Sequence, residues 1–231
     1  MSDWNLEFEA APYRLSGVVV GSLMNHVDAL ATLGEAAHAP PYKAPPKAPV
    51  LYVKPRNTLA RNGSAVAIPA PVERLEVAAS LAMVIGRTAC RVAESTALEH
   101  VAGYTLVADI GVPHESFYRP SVRFKALDGS CLIGPRIALR EEIPDPDDLT
   151  IRVSVDGVEM LRLDTAAMVR SAARLLADVS DFMTLRPGDL LMLGIASGAP
   201  LAGSGQTFAV NGSPIGCLAG RMVAEEGGPV V

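Results

Sequence analysis

Charged and hydrogen-bonding side chains are unusually dense between Asp109 and Lys125, two residues of opposite charge that lie sixteen positions apart. Only 19% of the chain is charged, so this density is a local feature. The other residues of the segment that could contact a ligand are Glu115, Tyr118, Arg119 and Arg123. The two guanidinium groups could bind carboxylates in bidentate fashion, and the tyrosine hydroxyl adds a neutral donor. We therefore take this segment as the candidate site of the chain.

Two other kinds of chemistry find little support in the sequence. Ser130 and Cys131 could act as nucleophiles, but no histidine lies in a pattern that indicates a partnered base. The glycines between positions 194 and 205 are not followed by the lysine and the hydroxyl residue of a phosphate-binding loop. We expect neither chemistry here.

Length and composition limit the classes of protein to consider. A chain of 231 residues that is 49% hydrophobic can bury one large core, so we expect one main domain. The net charge of −5 and the absence of a basic cluster in the sequence argue against a nucleic-acid binder. The first ten residues, MSDWNLEFEA, include acidic residues and no apolar run of the length of a signal peptide or a spanning helix. We expect a soluble, cytoplasmic protein that does not bind a membrane.

The three cysteines are odd in number and widely spaced, at Cys90, Cys131 and Cys217. This spacing matches neither a disulfide framework nor a paired-thiolate metal site. We expect all three to be buried structural thiols.

Several segments have the residue pattern of strands. Valine and glycine are frequent in Leu15 to Leu23, β-branched residues begin at Val50, and a long apolar run follows Glu76. A DG pair at Asp156 and Gly157 separates two further runs and predicts a hairpin of Thr150 to Val155 with Val158 to Leu163. A short buried strand is expected at Leu190 to Leu193.

Two helices are predicted. The first begins near Thr96, whose spacing to Glu99 fits a capping box, and it turns Leu98, Val101 and Ala102 inward. The second is capped by Asp164 or Thr165, and its inward positions are Met168, Leu175, Leu176, Val179, Phe182 and Met183.

Five prolines in Ala39 to Pro49 favour an extended path over a helix. We divide the chain into a small amino-terminal segment, 1–38, and a main domain, 39–231. Because strands outnumber helices, the pattern predicts a strand-rich α+β fold.

Four stretches together resemble the fumarylacetoacetate hydrolase family. They are VKPRNT from Val53, SLAMVIGR from Ser80, the segment from Gly103 to Gly129, and TLRPGDLLMLG from Thr184. The resemblance runs from about Pro40 to the end and implies the mixed β-roll of that family. More narrowly, PPYKAPPKAPVLYVKPRNT and HESFYRPSVRFKALDG resemble the amino-terminal half, or separate first subunit, of its decarboxylase/isomerase branch in homoprotocatechuate (4-hydroxyphenylacetate) breakdown.

The resemblance implies a divalent cation, usually Mg²⁺, held by a Glu-x-Glu pair on one strand and an aspartate on the next element. Asp109 matches the aspartate, but Ala78 and Ser80 occupy the positions of the two glutamates. Glu76 would lie about 7 Å from residue 78 along a strand, so it is a poor replacement. One carboxylate alone is a poor magnesium site, and we expect this chain by itself not to bind Mg²⁺.

The chain departs from the family at two further places. The resemblance implies an Asn-Tyr-x-x-His stretch that supplies a general base. In this chain Asn25 matches the asparagine of that stretch, whereas His26 stands at the tyrosine position and Ala29 at the histidine position. His26 could transfer protons near neutral pH, although a packed or surface histidine is the favoured interpretation. Ile195 replaces a threonine that can bond a substrate oxygen.

The basic groups of the family are retained. Lys125 in RFKALDG and Lys54 in VKPRNT match the site lysines, and the resemblance implies that they are catalytic. An ammonium close to a developing enolate stabilises its charge. Composition alone would favour a solvated surface lysine at position 125.

The resemblance implies three functions. The first is decarboxylation and isomerisation of 2-oxo acid dienolates with several carboxylates, which the cluster of basic residues would bind. The second is a non-catalytic partner of a metal-competent homologous subunit, as the missing carboxylate pair suggests. Hydrolysis of a fumarylacetoacetate-like diketone is the third, and it needs the missing histidine and metal. In each case we expect a homo- or hetero-oligomer.

Overall fold

The computed structural model describes residues 18–114 and 122–225, and strands dominate this part of the chain. The strands are β1 Val19–Leu23, β2 Val50–Lys54, β3 Leu59–Arg61, β4 Ala65–Ile68, β5 Arg74–Ile85, β6 Val101–Gly111, β7 Cys131–Leu139, β8 Thr150–Val155, β9 Val158–Asp164, β10 Leu190–Met192, β11 Leu201–Gly203, β12 Thr207–Gly212 and β13 Gly216–Ala224. The α-helices are α1 Val27–Ala31, α2 Val122–Lys125 and α3 Ala172–Ser180. Five 3₁₀ turns, Gly34–His38, Arg56–Thr58, Glu94–His100, Arg140–Glu142 and Thr165–Ala167, connect them.

The described strands form two mixed sheets. The first has the order β2-β1-β10-β5-β6-β7-β3, with β11 pairing on β5, and the second has the order β4-β13-β12-β8-β9. Three of the described pairs are parallel (β1 with β10, β3 with β7, β4 with β13), and the others are antiparallel. This arrangement confirms the strand-rich α+β fold.

The long strand β5 is buried on both faces, which explains its continuous apolar run. Its odd-numbered residues, such as Leu75 and Leu81, pack in the large core between the two sheets. The even-numbered residues Ala82 and Val84 belong to a second, smaller core cluster on the opposite face. Glu76 and Ala78 share that opposite face because side chains alternate along a strand. The candidate site therefore lies outside the main core.

The predicted hairpin is confirmed. Strands β8 and β9 pair antiparallel, and Asp156 and Gly157 between them have φ of 48° and 80°. Positive φ at both central residues is the two-residue turn that Asp-Gly favours. The strands expected near Leu23, Val50, Glu76 and Leu190 are also present, as β1, β2, β5 and β10.

The first predicted helix is wrong. Residues Glu94–His100 form a 3₁₀ turn, Thr96 Oγ1 donates to the carbonyl of Ala93 instead of capping a helix, and Val101 begins β6. Strand β6 lies between β5 and β7 in the centre of the first sheet, so sheet pairing prevails over the local helical pattern.

The second helix exists, but it begins later than predicted. Asp164 ends β9, Thr165 opens a 3₁₀ turn, and the N-cap of α3 is Ser171, whose side chain accepts from the backbone N–H of Arg174. Of the predicted inward positions, Leu175, Leu176 and Val179 are buried, whereas Phe182 is 67% exposed.

The remaining expectations divide as follows. Residues 39–49 contain neither helix nor strand. Strand β1 lies between β2 and β10 inside the first sheet, and the proposed boundary at residue 38 stays a prediction.

Cys131 is buried as expected, but Cys90 and Cys217 are exposed, so the expectation of buried thiols is wrong for two of the three cysteines. Among the described helices, none has the length and apolar character needed to cross a membrane.

Candidate functional site

Three side chains from separate elements meet in the buried interior beside β5 and β6. Asp109 lies near the end of β6, Lys54 ends β2 and Lys125 ends α2. Lys54 Nζ lies 2.9 Å from Asp109 Oδ1, and Lys125 Nζ lies 2.9 Å from Asp109 Oδ2. All three residues are buried. The structure thus brings together the carboxylate and the two lysines that the sequence analysis selected.

Tyr52 is a fourth member of this cluster, and the sequence analysis missed it. Its hydroxyl donates to Asp109 Oδ2 over 2.6 Å. The sequence spacing could have indicated it, because Tyr52 precedes Lys54 by two residues on β2 and therefore lies on the same face of the strand. Burial, and then the neighbouring Asp109, raises the pKa of Tyr52 well above its usual value, so the phenol remains a donor.

Gly21 on β1 makes room for this tyrosine. It is the register partner of Tyr52, and a Cβ at position 21 would lie only 2.2 Å from Tyr52 Cζ. A larger residue would displace the ring and with it the hydroxyl that reaches Asp109.

The two lysines have different environments. Lys54 Nζ also donates to the backbone carbonyl of Lys125 and, over 3.2 Å, to Ser130 Oγ, so its donors are engaged within the protein. Among the described residues, only Asp109 accepts a hydrogen bond from Lys125 Nζ, and Lys125 lines a cavity. Lys125 is therefore the lysine that a ligand can reach.

Asp109 is held as an anion. Burial alone would raise the pKa of Asp109, but Lys125, Lys54 and the hydroxyl of Tyr52 together lower it well below its usual range.

The pKa of Glu76 is shifted in the opposite direction: burial raises it, and the nearby Lys125 and His114 lower it only in part. The thiol of Cys131 stays protonated, because burial raises its pKa to about 12. This thiol is therefore a poor nucleophile.

The cavity at Lys125 has a volume of about 430 Å³. Glu76 and His114 provide its titratable groups besides the lysine. Its wall also contains Ala29, Ala78 and Ile195, three of the positions at which the sequence departs from the family pattern. These three side chains are apolar, so they make this part of the wall less polar than the histidine, glutamate and threonine of the family pattern would.

The side chains at the expected metal position do not fit Mg²⁺. Ala78 stands opposite Asp109 on β5 and offers no oxygen, while Ser80 Oγ donates to the carbonyl of Leu81 and accepts from the N–H of Gly194. Both oxygens of Asp109 already face cations. Within the described residues, no three His, Cys, Asp or Glu side chains converge to hold a metal ion. A hard cation needs several oxygen ligands, which this set does not supply.

His26 is a packed histidine. It is buried, its Nδ1 accepts from the backbone N–H of Asp28 at the start of α1, and it does not belong to the cavity wall. Asn25 is also structural, since its amide nitrogen donates to the carbonyls of Leu193 and Arg170.

The predicted substrate-binding residues cannot all be placed. Arg123 is exposed on α2. Glu115, Tyr118 and Arg119 lie outside the described residues, and their roles stay predictions.

Comparison with known proteins places these features in context. The family model described as fumarylacetoacetate (FAA) hydrolase, C-terminal, matches residues 18–223. A 4-hydroxyphenylacetate degradation bifunctional isomerase/decarboxylase from Salmonella dublin is 37% identical over 212 residues, which are 92% of this chain and 48% of that protein. A protein of the same description from Escherichia coli is 40% identical over 180 residues, which are 78% of this chain and 41% of that protein.

The fold is shared with solved structures. The 2-hydroxyhepta-2,4-diene-1,7-dioate isomerase from Mycobacterium marinum superposes with a TM-score of 0.76 and 26% identity, over 92% of this chain and 77% of that one. The chain spans less than half of the length of the two curated relatives. These similarities confirm the resemblance that the motifs indicated.

Proposed function

This chain belongs to the fumarylacetoacetate hydrolase family, and on that premise we propose that it is a lyase/isomerase subunit acting on 2-oxo acid dienolates of 4-hydroxyphenylacetate degradation. The reactions are decarboxylation of 5-carboxymethyl-2-oxo-hex-3-ene-1,7-dioate and isomerisation of 2-hydroxyhepta-2,4-diene-1,7-dioate. The similarity to two curated enzymes named for this pathway supports the proposal.

The observation that carries the proposal is the position of Lys125 in the wall of the cavity, fixed there by Asp109. In decarboxylation a C–C bond breaks, carbon dioxide leaves, and the electron pair enters the conjugated system as a dienolate. In isomerisation a proton leaves one carbon and returns to another through an intermediate of the same kind. Both reactions place negative charge on the oxygen of the 2-oxo group, and an ammonium in a partly dehydrated cavity stabilises that charge.

A second function rests on a different observation. Ala29 and Ala78 line the cavity where the family pattern has a histidine and a glutamate. A chain that lacks both could be the non-catalytic partner of a metal-competent homologous subunit. Hydrolysis of a diketone is the least supported function, because it needs those same missing groups.

The test is turnover of both pathway intermediates by the purified chain, alone and mixed with a metal-competent homologue. We expect turnover by the chain alone and its loss in Lys125→Met. Lys47→Met is the control, since Lys47 is an exposed lysine that does not line the cavity. Activity that is present only in the mixture would instead favour the non-catalytic partner. No turnover in any mixture would contradict the proposed pathway role.

A further inference from the structure

We propose that the Lys125 ammonium takes the place of the divalent cation in this site, so that a 2-oxo carboxylate binds directly to Lys125 without a metal. The choice of a 2-oxo carboxylate rests on the proposed function, whereas the exclusion of a metal rests on the side chains of residues 18–114 and 122–225.

The first argument is the location of the ammonium. Gly111 follows Asp109 by two residues on β6 and pairs with Glu76 on β5. A Cβ at Gly111 would lie 3.2 Å from Lys125 Cδ and 3.4 Å from its Nζ. The ammonium therefore stands over Gly111, bonded to Asp109 and beside the strand position of Glu76. Lys125 thus occupies the Oδ2 side of Asp109, the one carboxylate on which the expected cation site would depend.

The second argument is the charge of the cluster. The buried set contains two ammonium groups, Lys54 and Lys125, and one carboxylate, Asp109. A divalent cation added here would meet two positive neighbours, and the repulsion is weakly screened in a buried site. An incoming carboxylate or enolate would instead supply the negative charge that the buried set lacks.

The surrounding titratable groups are compatible with this charge balance. Glu76 on β5 is half-buried, and His114, close to the end of β6, stacks on Phe124 with a centroid distance of 4.9 Å. Burial raises the pKa of Glu76, which favours its neutral form more than at an exposed site. The phenol of Tyr52 also remains neutral. Burial thus disfavours the negative form of Glu76, and Tyr52 adds no negative charge.

The third argument is the hydrogen-bonding capacity that remains. An ammonium has three N–H donors. Among the described residues, Asp109 is the only acceptor of Lys125, and the lysine also lies 5.8 Å from the centre of the Tyr52 ring. Within the described part of the chain, two donors thus remain on a side chain that lines a cavity of about 430 Å³, and a carboxylate or a 2-oxo oxygen can accept from them.

The experiment measures binding, so it does not depend on turnover. Mn²⁺ is titrated into the full chain and followed by electron paramagnetic resonance, and pyruvate, the simplest 2-oxo acid, is titrated by calorimetry with and without EDTA. We expect no stoichiometric Mn²⁺ binding, and pyruvate binding that is unchanged by EDTA. Lys125→Met should weaken pyruvate binding by about tenfold or more, as loss of a charge-assisted hydrogen bond does, whereas Lys47→Met should not.

Lys125→Met should fold, because Asp109 keeps Lys54 and Tyr52 as partners, and circular dichroism checks this. One Mn²⁺ per chain, lost in Asp109→Asn, would overturn the proposal. Pyruvate binding that disappears in EDTA, that is absent in both buffers, or that is unaffected by Lys125→Met would overturn it as well. If the chain does not turn over the pathway intermediates but still binds pyruvate in EDTA, the proposed function is contradicted and this inference stands.

Discussion

Lys125 Nζ and Asp109 Oδ2 lie 2.9 Å apart with both side chains buried, and their contact ties the short helix α2 to the central strand β6. The fifteen residues between them include residues 115–121, so the pair bounds the segment in which the candidate substrate-binding residues lie. Buried ion pairs add little stability compared with apolar replacements, but removal of one partner is costly because it leaves an uncompensated charge.

Asp109→Asn should therefore destabilise the chain by about 3–5 kcal/mol. The substitution leaves Lys54 and Lys125 close together without a counter-charge. Urea denaturation at pH 7 measures the loss. In the Asp109→Asn background, Lys125→Met should recover part of the stability, because it removes one of the two unpaired charges. If Lys125→Met is equally destabilising in both backgrounds, Asp109 and Lys125 do not act as a pair.

The stability of the wild-type chain should fall in acid because of the same carboxylate. Lys125, Lys54 and Tyr52 outweigh burial and lower the pKa of Asp109 in the folded state, so its contribution is complete above the unfolded value of about 4 and is lost as the pH falls towards the folded value. Urea denaturation between pH 7 and pH 3 tests this. The difference between wild type and Asp109→Asn should be constant above about pH 5 and shrink below pH 4. A difference independent of pH would show that Asp109 is not the group that titrates.

The parts of this arrangement that the sequence predicted are those with local signals. The Asp-Gly turn predicted the hairpin, and the motifs around Lys54, Asp109 and Lys125 selected three side chains that meet in the structure. Tyr52 shares the strand face of Lys54, but its contact with Asp109 and the space that Gly21 leaves for its ring arise only from pairing between distant parts of the chain, so its role was missed. The helix predicted from Thr96 failed for a related reason, since the pairing of β6 with two distant strands decides the structure after Glu99.

The contact between Gly21 and Tyr52 gives a prediction of its own. Gly21→Ala should destabilise the chain, because the added Cβ would lie 2.2 Å from Tyr52 Cζ and the ring must move away from Asp109. Tyr52→Phe should cost about 1.5–3 kcal/mol, since it removes one hydrogen bond to a charged group. A double-mutant cycle with Tyr52→Ala separates the two effects: Gly21→Ala should be nearly harmless once the ring is absent. Additive losses would contradict the steric argument.

Glu76→Gln should stabilise the chain at high pH and have little effect in acid. Burial raises the pKa of Glu76 in the folded state, so the wild type loses stability as the pH rises above the unfolded value of about 4.3 and through the folded value. The neutral amide does not titrate. Thermal unfolding at pH 4 and pH 8 measures the change, and Glu73→Gln, at an exposed position three residues earlier, is the matched control. An equal effect of both substitutions would show that burial of Glu76 is not the cause.

Ala78→Glu tests whether Mg²⁺ is excluded by a missing ligand or by the Lys125 ammonium. Ala78 lines the cavity opposite Asp109, so there is space for a carboxylate there. We expect Ala78→Glu alone not to bind Mn²⁺, because the new carboxylate would pair with Lys125, and to weaken pyruvate binding. Combined with Lys125→Met, it should bind Mn²⁺ in the resonance titration, since two carboxylates then face each other without the ammonium. Equal Mn²⁺ affinity of the single and double variants would mean that the missing carboxylate, and not the lysine, excludes the metal.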